Sequence, residues 1–214
     1  MPVAVKICGL TSAAAVAAAV EGGAAYLGFV FYPPSQRAVL PAAAAALCAR
    51  VPTGVTRVGL FVDADDNAIG TALDAAPLDM LQFHGCESPQ RVATAKARFG
   101  RPVIKALAIA GPQDVAAAKH YDETADLLMF DAKPPTDDGG LPGGNGRTFD
   151  WRLLAGHSWR RPWILSGGLT AEILPAAVRV SGAMIVDVSS GVENRRGAKD
   201  PASIHAFLAA ARAL

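Results

Sequence analysis

Two residues that follow apolar runs have side chains suited to acid–base chemistry. Cys8 comes after a β-branched run and before Gly9, which leaves the chain free to turn toward a ligand. A thiolate there, stabilised by the nearby Lys6, would be able to remove a proton from carbon. Asp131 ends the apolar run Leu127–Phe130, and partial burial would favour the neutral carboxyl that a general acid needs. The pair favours proton-transfer catalysis over the alternatives of a buried thiol and a loop-capping carboxylate.

Two glycine-containing turns late in the chain are suited to binding phosphate. They read Ser166-Gly167-Gly168-Leu169-Thr170 and Ser189-Ser190-Gly191-Val192-Glu193. Glycine lets the backbone approach phosphate oxygens, and a helix N-terminus offers N–H groups with a favourable dipole. Either turn alone would be an ordinary strand-to-helix connection. Together, after the seventh and eighth predicted strands, they predict a phosphorylated substrate.

Other polar residues at strand ends are candidate substrate contacts. The planar guanidinium of Arg37 is suited to holding a carboxylate in a two-point contact. Gln82 and His84 either contact the substrate or satisfy hydrogen bonds in the core, and Asp187 ends the last predicted strand. Because His84 has no Cys or carboxylate at ligand spacing, no metal site is predicted.

The remaining reactive or charged residues are expected to have structural roles or no role in the chemistry. We expect Asp63 and Lys105 to form charged contacts within the wall of the site. Cys48 lies in an Ala-rich helical segment and is expected to be buried, while Cys86 is expected to take no part in the chemistry.

The elements that must position these residues alternate along the chain. Short β-branched runs alternate with Ala-rich segments of helical length, as a parallel sheet with crossover helices requires. The predicted strands are Val3–Ile7, Tyr26–Phe31, Thr56–Val62, Met80–Phe83, Val103–Ala106, Leu127–Asp131, Trp163–Leu165 and Met184–Val188. The predicted helices are Ser12–Glu21, Pro41–Arg50, Asn67–Ala75, Pro89–Phe99, Gln113–Tyr121, Ala171–Val180 and Pro201–Ala213.

Eight such units over residues 1–214 predict a single-domain α/β protein, a (β/α)8 TIM barrel. An open doubly wound sheet is the alternative. Barrel enzymes place their sites at the carboxyl ends of the strands, where the candidate residues lie. One long irregular stretch, Lys133–Arg147, follows the sixth strand, and a connection of that length is usually a functional loop or a linker.

Composition excludes several classes of protein. The net charge of +1 and the scattered basic residues argue against nucleic-acid or membrane-surface partners. The longest apolar stretches are too short to span a bilayer, and the N-terminus lacks the features of an export signal. Three cysteines without paired spacing fit reduced thiols. We therefore expect a cytoplasmic protein.

The motifs along the chain resemble those of the phosphoribosylanthranilate isomerase family. The similarity covers essentially the whole chain, in the family's order and near its spacing. Its segments are Val5-Lys6-Ile7-Cys8-Gly9-Leu10-Thr11, Gly28-Phe29-Val30-Phe31-Tyr32-Pro33, Val58-Gly59-Leu60-Phe61-Val62, Leu81-Gln82-Phe83-His84-Gly85, Asp131-Ala132-Lys133, Gly146-Arg147-Thr148-Phe149-Asp150-Trp151, Leu165-Ser166-Gly167-Gly168-Leu169 and Val186-Asp187-Val188-Ser189-Ser190-Gly191-Val192-Glu193.

This resemblance implies an Amadori rearrangement of N-(5'-phosphoribosyl)anthranilate in tryptophan biosynthesis, without a cofactor. Asp131 would protonate the furanose ring oxygen, and Cys8 would take the proton from C2 of the sugar. Arg37 would hold the anthranilate carboxylate. Backbone groups at Gly168 and Ser190-Gly191 would hold the phosphate, and Asp187 would touch a ribose hydroxyl.

The chain departs from the family's common pattern in two places. Phe83 stands where an aliphatic residue is usual, and the Lys133–Arg147 stretch is longer than in compact members. Two alternative functions stay open: another phosphosugar isomerase or epimerase barrel, and a non-catalytic barrel that binds a phosphate ligand. The sequence is compatible with a monomer or a homodimer.

Overall fold

Eight parallel strands close into a barrel in the order in which they occur along the chain. The computed structural model describes residues 2–134 and 143–214. The barrel strands are β1 (Ala4–Cys8), β2 (Tyr26–Val30), β3 (Thr56–Phe61), β4 (Met80–Phe83), β5 (Val103–Ile109), β6 (Leu127–Ala132), β7 (Trp163–Leu165) and β8 (Ile185–Val188). Pairing of β8 with β1, in which Ala4 faces Ile185, completes the ring. The predicted TIM barrel is confirmed, and the open-sheet alternative is wrong.

Helices lie between most of the strands. They are α1 (Ala13–Glu21), α2 (Pro41–Cys48), α3 (Asp66–Ala75), α4 (Pro89–Phe99), α5 (Pro112–Ala117), α6 (Leu174–Ser181) and α7 (Pro201–Arg212). The Ser12 and Ser88 side chains accept hydrogen bonds from backbone N–H groups in the first turns of α1 and α4. These caps satisfy donors that a helix N-terminus leaves unpaired.

Some boundaries differ from the prediction. The sixth helix begins at Leu174 instead of Ala171, because Pro175 lies in its first turn, where the missing proline N–H costs nothing. The fifth helix is short and continues as a 3-10 helix over Ala118–Tyr121. Strand β5 runs to Ile109, three residues beyond its predicted end.

A small antiparallel hairpin that the sequence pattern did not predict follows the eighth strand. It consists of β9 (Glu193–Arg195) and β10 (Ala198–Lys199) and follows a 3-10 helix over Ser190–Val192. Between β6 and β7 the described residues form a 3-10 helix, Trp151–Leu154. Of the predicted long stretch Lys133–Arg147, residues 135–142 lie outside the described residues.

Clusters of buried side chains fill the interior of the barrel. The site lies beyond them, at the carboxyl ends of the strands. Val58, Ile104, Met129 and Ile164 form a cluster within the sheet. Cys8, Val30 and Leu60 form a separate small cluster near the strand ends. None of the helices that the structure describes combines the length and the apolar character needed to cross a bilayer.

Candidate active site

The carboxyl ends of the strands surround a cavity of about 690 Å³, a volume that includes its opening to solvent. Most of the predicted site residues line it: Cys8, Arg37, His84, Asp131, Gly168, Asp187 and Ser190. Gln82 and Gly191 are not among its lining residues. The barrel therefore brings together residues that lie far apart along the chain.

Cys8 lies at the end of β1 and is 5% exposed. A Cβ atom added to Gly28, on the neighbouring strand, would lie 2.9 Å from Cys8 Sγ and 3.1 Å from Lys6 Nζ. The missing side chain at Gly28 thus leaves room for the sulfur and the ammonium side by side. Burial raises the pKa of the Cys8 thiol, and the Lys6 charge opposes this rise. Burial therefore disfavours the thiolate of Cys8, and the neighbouring Lys6 favours it.

Lys6 is a fully buried cation beside Cys8 and Asp187, two residues that line the cavity. It faces Asp187 in the register of β1 and β8, and its Nζ donates a 2.8 Å hydrogen bond to Asp187 Oδ1. Burial disfavours the ammonium, but Asp187 and Cys8 outweigh burial and raise the pKa of Lys6. Lys6 is thus a fixed positive charge beside the sulfur, as a thiolate at Cys8 would require.

Asp131 enters the cavity from β6 and is 5% exposed. Its Oδ2 lies 3.1 Å from His84 Nε2, and its Oδ1 accepts a 2.9 Å hydrogen bond from the backbone N–H of Ala132. These two contacts fix the plane of the carboxyl group. Cys8 comes from β1 and Asp131 from β6, strands that β7 and β8 separate in the ring, and both residues line the same cavity.

Arg37 is held by a carboxylate of the hairpin. Its Nε and Nη2 donate to Glu193 Oε1 and Oε2 at 2.7 and 2.9 Å, and Nη2 also donates to the Gly144 carbonyl at 3.3 Å. Lys199 Nζ donates to the same Glu193 carboxylate and to the Ser189 carbonyl oxygen, at 2.6 and 2.9 Å. Burial opposes the charge on Glu193, but Arg37 and Lys199 outweigh it and lower the pKa of Glu193.

This network was missed in the sequence, where Glu193 appears only as the last residue of a phosphate turn. The other site residues were predicted because they lie at or near the end of a predicted strand. Neither Glu193 nor Lys199 follows a barrel strand directly, so this criterion did not identify them. The sequence shows only that an acidic residue ends the second glycine turn and that a lysine, Lys199, follows it six residues later. That pattern is common on protein surfaces and is not specific.

The two predicted phosphate turns lie next to each other at the cavity mouth. Gly167 and Gly168 have φ values of 92° and 60°, a region that favours glycine. A Cβ atom at Gly168 would lie 2.7 Å from the carbonyl oxygen of Arg147. At Gly191 a Cβ atom would overlap the Leu169 carbonyl oxygen. The glycines therefore allow three backbone segments to pack closely around one end of the cavity.

Three of the predicted substrate contacts have close contacts within the protein. Gln82 is completely buried behind His84 and does not reach the cavity, because β4 directs it into the core. Gly191 packs against Leu169, and its lack of a side chain allows this close approach without forming part of the cavity surface. Asp187 lines the cavity, but Oδ1 is used by Lys6 and Oδ2 accepts a 3.0 Å hydrogen bond from Ser166 Oγ. Its main contacts are therefore within the protein.

Charged residues of β5 and of the loops after β3 and β4 form contacts with each other, outside the cavity lining. Lys105 Nζ donates to Glu87 Oε2 at 2.8 Å, and Glu87 Oε1 accepts from the Asp63 N–H at 2.8 Å. Asp63 in turn accepts a hydrogen bond of 2.7 Å from the Cys86 N–H. The buried Glu87 carboxylate thus joins Lys105 to the loop after β3, a role that was not predicted from the sequence.

The functional groups that line the cavity are suited to proton transfer and to binding anions. Within residues 2–134 and 143–214, no three His, Cys, Asp or Glu side chains are grouped as a metal ion would require. The cavity combines a thiol, an imidazole, two carboxyl groups, two arginines and two glycine turns. Such a set can hold a substrate with two anionic ends and move protons between them.

Comparisons with known proteins agree on one family. A family model described as N-(5'phosphoribosyl)anthranilate (PRA) isomerase matches residues 5–210. The N-(5'-phosphoribosyl)anthranilate isomerase of Paracoccus denitrificans is 56% identical to this chain, over 100% of the chain and 99% of that protein. The structure of phosphoribosyl anthranilate isomerase from Thermotoga maritima superposes with a TM-score of 0.88 at 37% identity, covering 99% of this chain and 100% of the other.

A second solved structure carries information about a ligand. It is a phosphoribosyl anthranilate isomerase in complex with reduced 1-(o-carboxyphenylamino)-1-deoxyribulose 5-phosphate. It superposes with a TM-score of 0.86 at 35% identity, covering 99% of this chain and 100% of the other.

Proposed function

The chain belongs to the N-(5'-phosphoribosyl)anthranilate isomerase family, and we propose that Asp131 and Cys8 carry out its reaction as general acid and general base. The protein is an isomerase of tryptophan biosynthesis that converts N-(5'-phosphoribosyl)anthranilate into 1-(2-carboxyphenylamino)-1-deoxyribulose 5-phosphate. The observation that supports this assignment of roles is that both residues are buried, come from two separate strands of the barrel, and line one cavity.

The first step is opening of the ribose ring. Asp131 protonates the ring oxygen while the bond from this oxygen to C1 breaks and the nitrogen lone pair forms a C=N bond. The resulting iminium draws electrons from C2. His84 Nε2 and the Ala132 N–H lie against the two Asp131 oxygens and stabilise the carboxylate that remains.

The second step is removal of the proton from C2 by Cys8 in its thiolate form. The C–H electrons form a C1–C2 double bond, and the C=N electrons return to nitrogen, which gives an enolamine. In the final tautomerisation C1 gains a proton and the hydroxyl group on C2 loses one, which yields the ketone. Because burial raises the pKa of Cys8, the buried Lys6 charge is needed to stabilise the thiolate.

The two ends of the substrate are both anionic. We assign the phosphate to the turns that contain Gly168 and Ser190, because the close packing of these turns exposes backbone to one end of the cavity. We assign the anthranilate carboxylate to Arg37, whose Nε and Nη2 are bound to Glu193 and whose guanidinium lines the cavity. Glu193 thus orients the guanidinium for a ligand.

An assay of the purified protein tests the assignment. The protein is mixed, in EDTA, with phosphoribosylanthranilate generated in situ, and the loss of anthranilate-type fluorescence is followed. Rapid loss with wild type and a decrease of about 100-fold or more in kcat with Asp131→Asn is the expected result. Asp74→Asn, the same change at an exposed position of α3, is the matched control and should turn over normally.

Two other outcomes of the assay would contradict this assignment. Full activity of Asp131→Asn would remove Asp131 from the mechanism. Binding of a product analogue by a wild-type protein without turnover would indicate a phosphate-ligand binding barrel.

A further inference from the structure

Behind Asp131 lies a buried chain of two polar side chains. Gln82 Nε2 lies 3.1 Å from His84 Nδ1, and His84 Nε2 lies 3.1 Å from Asp131 Oδ2. Gln82 is completely buried and does not line the cavity, so its role cannot be direct contact with substrate. We propose that Gln82 keeps His84 neutral, so that His84 positions Asp131 without taking away its acid proton. This inference rests on the proposed role of Asp131.

The orientation of the Gln82 amide follows from its surroundings. In the observed orientation its NH2 group lies 3.1 Å from His84 Nδ1 and 3.4 Å from Met129 Sδ, a thioether sulfur that can only accept. Its Oε1 is buried without a partner among the described residues. The opposite orientation would place the oxygen against the Met129 sulfur, which has no proton to donate. The observed orientation satisfies more groups, and it fixes Gln82 as a donor to His84.

A donor at Nδ1 decides where the His84 proton lies. A ring nitrogen that accepts a hydrogen bond carries no proton, so the neutral ring must carry its proton on Nε2. This N–H then donates to Asp131 Oδ2, while the Ala132 N–H donates to Oδ1. Each carboxyl oxygen keeps a second lone pair, so a protonated Asp131 retains both contacts.

Neutrality of His84 is what lets Asp131 act as an acid. An imidazolium at 3.1 Å would form an ion pair with Asp131 and hold it as a carboxylate with no proton to give. A second proton on His84 would have to sit on Nδ1, facing the Gln82 N–H. This donor-to-donor contact, in a buried place, opposes the imidazolium. Gln82 and His84 are therefore positioning residues that act through Asp131.

The first test reads the proton positions directly in the wild-type protein. Nitrogen-15 NMR of histidine-labelled protein at pH 7 distinguishes the two neutral tautomers from the doubly protonated ring. The His84 signals are assigned by their loss in a His84→Gln variant. We expect a protonated Nε2 and an unprotonated Nδ1. A proton on Nδ1, in either the other tautomer or the imidazolium, would overturn the proposal.

The second test compares two replacements of Gln82. Gln82→Glu has nearly the same shape but places an acceptor at Nδ1, so His84 should gain a proton there and kcat should fall about 10-fold or more. Gln82→Met matches the volume without adding a charged acceptor, and its kcat should stay clearly above that of Gln82→Glu. For both variants KM should change by less than about 2-fold, because Gln82 lies outside the cavity.

Equal losses of kcat in the two variants would mean that packing alone matters and would overturn the proposal. Thermal melting followed by circular dichroism shows whether each variant is folded. Failure of the proposed function would appear as absence of turnover by wild type, whatever the NMR spectrum. Failure of this inference would appear as the wrong proton position in an active wild-type enzyme.

Discussion

Arg37 and Glu193 form a buried two-point ion pair, with Nε to Oε1 at 2.7 Å and Nη2 to Oε2 at 2.9 Å. The pair joins the loop after β2 to the hairpin after β8. One edge of the guanidinium is thereby used within the protein, and its orientation is set before a ligand arrives. An oriented donor loses less conformational entropy when it binds a carboxylate.

Glu193→Gln should weaken substrate binding more than it slows turnover. The change removes the charge that holds Arg37 and Lys199, and it leaves two buried cations without their shared partner. We expect KM to rise about 10-fold or more, with a smaller effect on kcat. Asp79→Asn is the matched control, because Arg57 and Asp79 form a two-point pair of the same geometry away from the cavity. A normal KM for Glu193→Gln would show that Arg37 needs no such support.

Cys8→Ser should remove most of the activity. A hydroxyl is a far weaker acid than a thiol, so its anion is not accessible as a base, and kcat should fall about 100-fold or more. Steady-state kinetics on the fluorescent substrate measure this change. Cys86→Ser, at an exposed thiol outside the cavity, should leave kcat unchanged. Equal kcat values for Cys8→Ser and wild type would eliminate Cys8 as the base.

Gly191→Ala should impair phosphate binding although Gly191 does not line the cavity. The added Cβ atom would overlap the Leu169 carbonyl oxygen and push the two phosphate turns apart. We expect KM to rise about 10-fold or more and inhibition by inorganic phosphate to weaken. Gly111→Ala introduces the same methyl group into open space and is the control. An unchanged KM with Gly191→Ala would place the phosphate elsewhere.

Cys48 should make the protein less stable in alkaline solution. Burial in α2 raises the pKa of its thiol from the usual value of 9.0 to about 11. Between these values the unfolded chain loses the proton first, so the free energy of unfolding falls as the pH rises. Urea denaturation of wild type from pH 8.5 to 11 should show this decrease. In Cys48→Ala the decrease should be smaller, with Cys8 contributing in the same direction; identical slopes would contradict the prediction.

Local features of the sequence were enough to predict the barrel and much of its mouth. Alternation of apolar runs with Ala-rich segments is a short-range pattern, and parallel strands place all their carboxyl ends on one side. Residues that directly follow a strand, such as Cys8 and Asp131, could therefore be assigned to a common site from their positions in the chain. The caps at Ser12 and Ser88 also depend on local sequence alone, since their partners lie three residues away.

Only the tertiary structure decided which polar groups bind each other. The partners in Lys6–Asp187 and Arg37–Glu193 are 181 and 156 residues apart, and their pairing depends on barrel closure and on the hairpin. The direction of Gln82 into the core depends on the register of β4, because a shift of one residue would turn it to the other face. A sequence determines which chemical groups are available at the strand ends. Their pairing and burial are set by distances across the fold, which no local pattern encodes.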